Sequence, residues 1–139
     1  MTQSILTYRG AVYPWHCDHM GHMNVMWYVG KFDEGTWNLF NSVGFTRDHM
    51  REHDAASAGV EQNIVYKKEL IAGDTVSVHT TILEVRDRVL RLQHEMQKND
   101  TGEVAAVMVL TAVHLNGTSR RATPFAASIK AKLEELCKG

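Results

Sequence analysis

Residues 13–35 read YPWHCDHMGHMNVMWYVGKFDEG, a histidine-rich loop that runs straight into an apolar helix. Pro14 closes whatever precedes it, and WHCDHMGHM has no period of either kind. Asn24 then stands where a helix N-cap belongs. From there Val25, Val29, Phe32, Thr36, Leu39 and Val43 recur at helical spacing, and Tyr28, Trp37 and Phe40 widen the stripe. The pattern predicts one helix through about Ser42, largely buried. Gly30 and Gly35 lie inside it, each costing about 1 kcal/mol relative to Ala. Their presence predicts another backbone packed closely against the helix.

Working outward, ILTYRGAVY (residues 5–13) alternates, with Leu6, Tyr8 and Val12 on one face, and reads as a strand. Thr46 caps a short second helix, RDHMREHD. From about Ala58 the period changes to two. Ile64 and Tyr66 lead to a loop closed by Gly73-Asp74. Val76, Val78, Thr80 and Ile82 then alternate with polar neighbours, as do Leu90, Leu92 and Met96. Asn99 to Gly102 is a hairpin turn. Val104 to Leu115 is nearly all apolar, as for a central strand covered on both faces. The segment after Pro124 reads as a polar, partly exposed C-terminal helix. The order is strand, long buried helix, then four antiparallel strands. It predicts an α+β fold with a five-stranded antiparallel sheet wrapped around one long central helix.

Bulk composition narrows the function. At 139 residues, 44% hydrophobic and 22% charged, residues 1–139 make one domain. A formal net charge of −1 excludes a general attraction to nucleic acid or anionic membrane. No apolar run approaches the roughly 18 residues needed to span a bilayer, and MTQSILTYRG lacks a signal-peptide core. Cys17 and Cys137 do not form a disulfide framework. The expected location is cytoplasmic.

Three side chains in the loop have the chemistry to act on a carbonyl: Asp18, His22 and Asn24. They precede a helix whose first N–H groups lack intrahelical partners and carry the positive end of its dipole. Amides near Asn24 and Val25 would polarise a thioester carbonyl and hold its oxyanion. An Asp at position 18 has the chemistry of a nucleophile, or of the base that activates water; the plainer alternative is a cap or loop residue. His16, Cys17, His19 and His22 also include metal-ligand types, but their spacing is too compressed for a standard zinc site, so no metal is expected. Glu34, on the helix, is read as a hydrogen-bonding residue at the helix–sheet contact. Trp15, Trp27 and Trp37 are read as core or interface, and His94 and His114 as partly buried, hydrogen-bonded strand histidines.

The segment resembles the signature of the 4-hydroxybenzoyl-CoA thioesterase-like branch of the hotdog superfamily. Cys17-Asp18-His19-Met20-Gly21-His22-Met23-Asn24 is similar to the Met-Gly-His-Val-Asn subgroup, with Tyr28 on the family tyrosine and Asp18 on the second, catalytic Asp. His16 stands where the family carries its first Asp. Tyr66-Lys67-Lys68-Glu69-Leu70 with Gly73-Asp74-Thr75-Val76 is similar to a second family block, and Arg120-Arg121-Ala122-Thr123-Pro124 to the closing one. The resemblance spans roughly residues 5–130. It implies a hotdog-fold acyl-CoA thioesterase with Asp18 catalytic and His22, Asn24, Val25 and Tyr28 supporting. It also implies a homodimer or homotetramer with sites at the interface, and no cofactor beyond the CoA of the substrate.

Arg86 and Arg88 flank a turn between strands, and Arg120 and Arg121 follow the last strand. They are assigned to the CoA phosphates, as in the family. Two other functions fit the same residues: a hotdog hydratase or dehydratase using His22, and a non-catalytic acyl-CoA binding module.

Overall fold

The computed structural model describes residues 4–138. Its elements in chain order are β1 (Ser4–Ala11), a 3-10 turn (Pro14–His16), α1 (Val25–Ser42), α2 (Arg47–His53), β2 (Ala55–Tyr66), β3 (Thr75–Val85), β4 (Val89–Lys98), β5 (Val104–Asn116) and α3 (Ala127–Lys138). The strands form one antiparallel sheet in the order β1-β3-β4-β5-β2. No described helix is long and apolar enough to cross a membrane.

This is the expected α+β arrangement, with three helices rather than a single dominant one. α1 lies against β1, β3 and β4, α2 against β2, and α3 against β3. The inward residues of β3 and β4 are those the alternation predicts: Val76, Val78, Ile82, Leu90, Leu92 and Met96 are all fully buried. From α1 they meet Phe32 and Leu39, and α3 adds Ile129 and Leu133 to the same core. The α1 C-terminus closes as Gly44 enters the left-handed region (φ 96°) and Phe45 N–H reaches back to Phe40 O at 2.8 Å.

Four local expectations are corrected. In β1, Leu6 is 49% exposed while Thr7 is buried. A bulge between Leu6 and Tyr8 inserts Thr7 and reverses the alternation. Val25 is exposed and Val29 half-buried, so the buried stripe of α1 is rotated towards Tyr28, Lys31, Gly35 and Phe40. The close backbone approach inferred from the helix glycines is not found; at Gly35 it is side chains that crowd the helix, and at Gly30 nothing does. A Cβ at Gly35 would lie 2.9 Å from Thr7 Oγ1, whereas one at Gly30 would meet nothing nearer than Trp27 at 4.0 Å. Finally, β5 is buried on one face and only half-buried on the other, where Val107, Val109 and Val113 point.

Candidate active site

The loop between β1 and α1 is tied to itself and to the rest of the fold. Cys17 N–H reaches Pro14 O (3.1 Å), Asp18 N–H reaches His22 O (3.2 Å), and Gly21 N–H returns to Asp18 O (3.0 Å). Gly21 has φ 90°, a conformation other residues reach only with strain. Met23 N–H then fastens the loop to Leu70 O at 2.7 Å, beyond the end of β2. The result is a tight turn with Asp18 on its rim.

Both Asp18 oxygens are held. Oδ1 accepts the Met20 N–H (2.9 Å) and Oδ2 accepts from Asn24 Nδ2 (2.8 Å). Asn24 also accepts the Met26 N–H on its Oδ1 at 3.0 Å, which makes it the N-cap the sequence predicts. One side chain therefore joins the carboxylate to the helix terminus. The Asn24 amide, then the Met20 N–H, then the charges of His19 and His22 hold the Asp18 carboxyl below its ordinary 3.8 against a smaller desolvation effect. Asp18 is thus ionised at neutral pH. The Trp27 N–H goes to Asn24 O (3.0 Å). Among the described residues the Val25 N–H has no partner, so it is the amide of this terminus free to meet a ligand.

A cleft of about 350 Å³ opens here, bordered by Asp18, His22, Val25, Tyr28, Tyr66 and Glu69. Tyr28 is buried, donates its hydroxyl to Lys68 O at 3.0 Å and meets Tyr66 edge to face at 5.1 Å. Burial, then Tyr66, pushes its phenol up to about 12, so it stays a neutral donor that braces the cleft wall. His22 is half-buried with Nε2 3.6 Å from Glu69 Oε1.

The structure brings Asp18, His22, Asn24, Val25 and Tyr28 together. It does not bring the arginines to them within one chain. Arg86 pairs with Glu84 at 2.9 Å, Arg88 O takes the His114 N–H, and Arg121 O takes the Asn116 N–H. Both arginine pairs therefore gather at the C-terminal end of β5. The cleft lies at the other end, where Tyr66 pairs with Ala106. About ten residues of strand separate the two ends, roughly 30 Å. Cationic residues that do border the cleft are Lys67 and Lys68, with Lys68 Nζ 3.3 Å from Glu103 Oε2. They were legible only as part of the Tyr66–Leu70 block, not as site residues.

Comparison with known proteins gives this geometry a family. The model of the thioesterase-like superfamily matches residues 12–133. The long-chain acyl-CoA thioesterase FadM of Escherichia coli is 24% identical over 125 residues, covering 89% of this chain and 93% of that protein. The L-carnitine dehydrogenase/betainyl-CoA thioesterase of Agrobacterium fabrum is 27% identical over 119 residues; the match takes 86% of this chain and 24% of that longer protein. In fold, the chain is similar to the Staphylococcus aureus protein SAV2348, solved in complex with CoA. The TM-score is 0.92 at 22% identity, over 99% of this chain and 87% of that one. The match over residues 12–133, which holds the whole loop and α1, makes this chain a member of the thioesterase-like superfamily of thioester hydrolases.

Proposed function

We propose that the protein hydrolyses an acyl-CoA to the free acid and CoA, with Asp18 as the acting carboxylate. The observation that carries this is the anchoring of Asp18 beside the open Val25 N–H, at the positive end of α1. A thioester carbonyl entering the cleft would meet a donor for its oxygen and an ionised carboxylate for its carbon. By one route Asp18 attacks, CoA leaves as thiolate, and water hydrolyses the mixed anhydride. By the other, Asp18 takes a proton from water as the hydroxide attacks, and that proton leaves with the CoA thiolate. In this account α1 is the central helix around which the sheet wraps. His22 and Tyr28 orient the substrate.

The protein is proposed to act as a homodimer or a pair of dimers. β2 is an edge strand 12 residues long, with Val60 and Val65 more than half exposed. Antiparallel pairing of two β2 edges would carry the arginine end of one protomer to the Asp18 end of its partner. That arrangement reconciles the CoA assignment of Arg86, Arg88, Arg120 and Arg121 with their distance from Asp18 in one chain.

The His22–Glu69 pair favours a second function, hydration of an enoyl thioester by a histidine with an acidic partner. Incubation with a panel of acyl-CoAs and a thiol reagent separates them. Release of free CoA supports hydrolysis. Loss of the enoyl absorbance without CoA release supports the hydratase, and saturable binding alone a non-catalytic module.

A further inference from the structure

We propose that His16 is a positioning residue, and that acid disarms the site through this imidazole rather than through Asp18. The proposal rests on Asp18 as the acting carboxylate.

His16 fastens both ends of the loop that carries Asp18. Its Nδ1 accepts the Tyr13 N–H at 3.0 Å, where the chain enters, and its carbonyl accepts the Asn24 N–H at 2.9 Å, where the chain leaves. Asn24 in turn holds Asp18 Oδ2 and the Met26 N–H. The imidazole is 9% exposed and packs on Trp27, centroids 4.4 Å apart, with Tyr13 and Trp15 at 5.9 and 5.8 Å. Only a neutral ring with its lone pair on Nδ1 makes the Tyr13 contact. A proton there would set two donors against each other.

Burial favours the neutral ring, and Lys31 adds to it. This lysine is 3% exposed, and its ammonium donates to Tyr8 OH (3.1 Å) and Ala11 O (3.3 Å). It also lies 5.3 Å from the Tyr8 ring centroid, and among the described residues no carboxylate pairs with it. A buried cation without a counter-ion opposes a second positive charge nearby. Burial first, then Lys31, lowers the His16 pKa from 6.5. Around the ring, Tyr13, Trp15 and Trp27 offer neutral surfaces, Cys17 directs its thiol to Tyr13 O, and Asp18 turns its carboxylate to Met20 and Asn24.

The departure from the family's Asp at position 16 thereby acquires a consequence. A carboxylate there would accept the Tyr13 N–H throughout the working pH range and compensate Lys31. An imidazole does so only while unprotonated. Activity should fall as pH drops through the His16 midpoint, which burial and Lys31 place below 6.5.

The test is kcat/KM against pH for the parent, His16→Asn, His16→Asp and Lys31→Met, with the His16 ring titrated in parallel by NMR. One pH unit below the ring's midpoint the parent should retain about a tenth of its plateau. His16→Asn and His16→Asp keep an acceptor that does not titrate there, so both should hold their plateau at that pH. Lys31→Met should move the parental midpoint upward. The proposal is overturned if the acid limb is the same in both His16 variants, if it does not track the ring titration, or if the folded variants lose turnover at neutral pH. Asp18→Asn, measured alongside, keeps the two ideas apart. Full turnover in that variant removes the underlying assignment, while an inactive Asp18→Asn beside a parental acid limb in the His16 variants removes only this one.

Discussion

Stability should fall on acidification because of one buried histidine that does not line the cleft. His94 is fully buried in β4, with Nδ1 2.7 Å from Thr80 Oγ1 and Nε2 2.7 Å from Thr36 Oγ1, and its ring stacks on Phe32 at 5.6 Å. Thr7 extends the chain to Thr80 at 2.8 Å. These partners satisfy a neutral ring but offer no charge to balance a proton, and burial lowers its pKa from 6.5 to about 4. Between those values the unfolded chain binds a proton that the native state refuses, so stability rises with pH across that window and is lost below it. The gap of about 2.5 pH units, at about 1.4 kcal/mol each, amounts to about 3 kcal/mol by pH 4. Urea denaturation at fixed protein concentration, from pH 7 to 4, measures it in the parent and in His94→Gln. His16 and His49, also lowered chiefly by burial, add to the slope in both proteins. The difference between the two curves isolates His94. The variant should start less stable and lose about one proton's worth less stability on acidification. Parallel curves would refute the argument.

The two helix glycines should respond oppositely. Gly35→Ala drives a Cβ against the β-branched Thr7 and should destabilise by about 1–3 kcal/mol in chemical denaturation. Gly30→Ala meets only the Trp27 ring, at an ordinary van der Waals distance of 4.0 Å, and should stabilise by about 0.5–1 kcal/mol. Asn24→Ala removes the α1 cap, expected to lower stability by about 1 kcal/mol, and should also reduce turnover because Asp18 loses its Nδ2 partner. Arg88→Ala or Arg120→Ala should raise KM for acyl-CoA by roughly 5- to 100-fold with kcat little changed. A thioester lacking the nucleotide should be insensitive to either change, and an unaltered KM across salt concentrations would make these arginines a solvated surface.

Much of the candidate site's geometry was legible because it is local in sequence. Asp18, Asn24 and the α1 terminus lie within eight residues, and capping chemistry acts over that span. The strand alternation of β3 and β4 was equally plain. What the sequence hid depends on partners remote along the chain. The bulge that turns Thr7 inward is set by pairing with β3, and the burial of Lys31 depends on Tyr8 and Ala11. Gly30 and Gly35 look alike in sequence because only the fold brings Thr7 over one of them. Likewise, nothing in the spacing of the arginines tells that β5 carries them to the end of the sheet opposite Asp18.

The most direct test is the turnover of Asp18→Asn on an acyl-CoA that the parent hydrolyses. The substitution keeps the shape and removes the basicity; it retains one of the two acceptor contacts, to Met20 or to Asn24. Folding and oligomeric state, checked by circular dichroism and light scattering, should survive. Turnover should drop by roughly 10²–10⁴, more than for His22→Ala or Asn24→Ala. A folded Asp18→Asn that hydrolyses at near-parental rate, beside an inactive His22→Ala, would contradict the assignment and move the chemistry to the histidine.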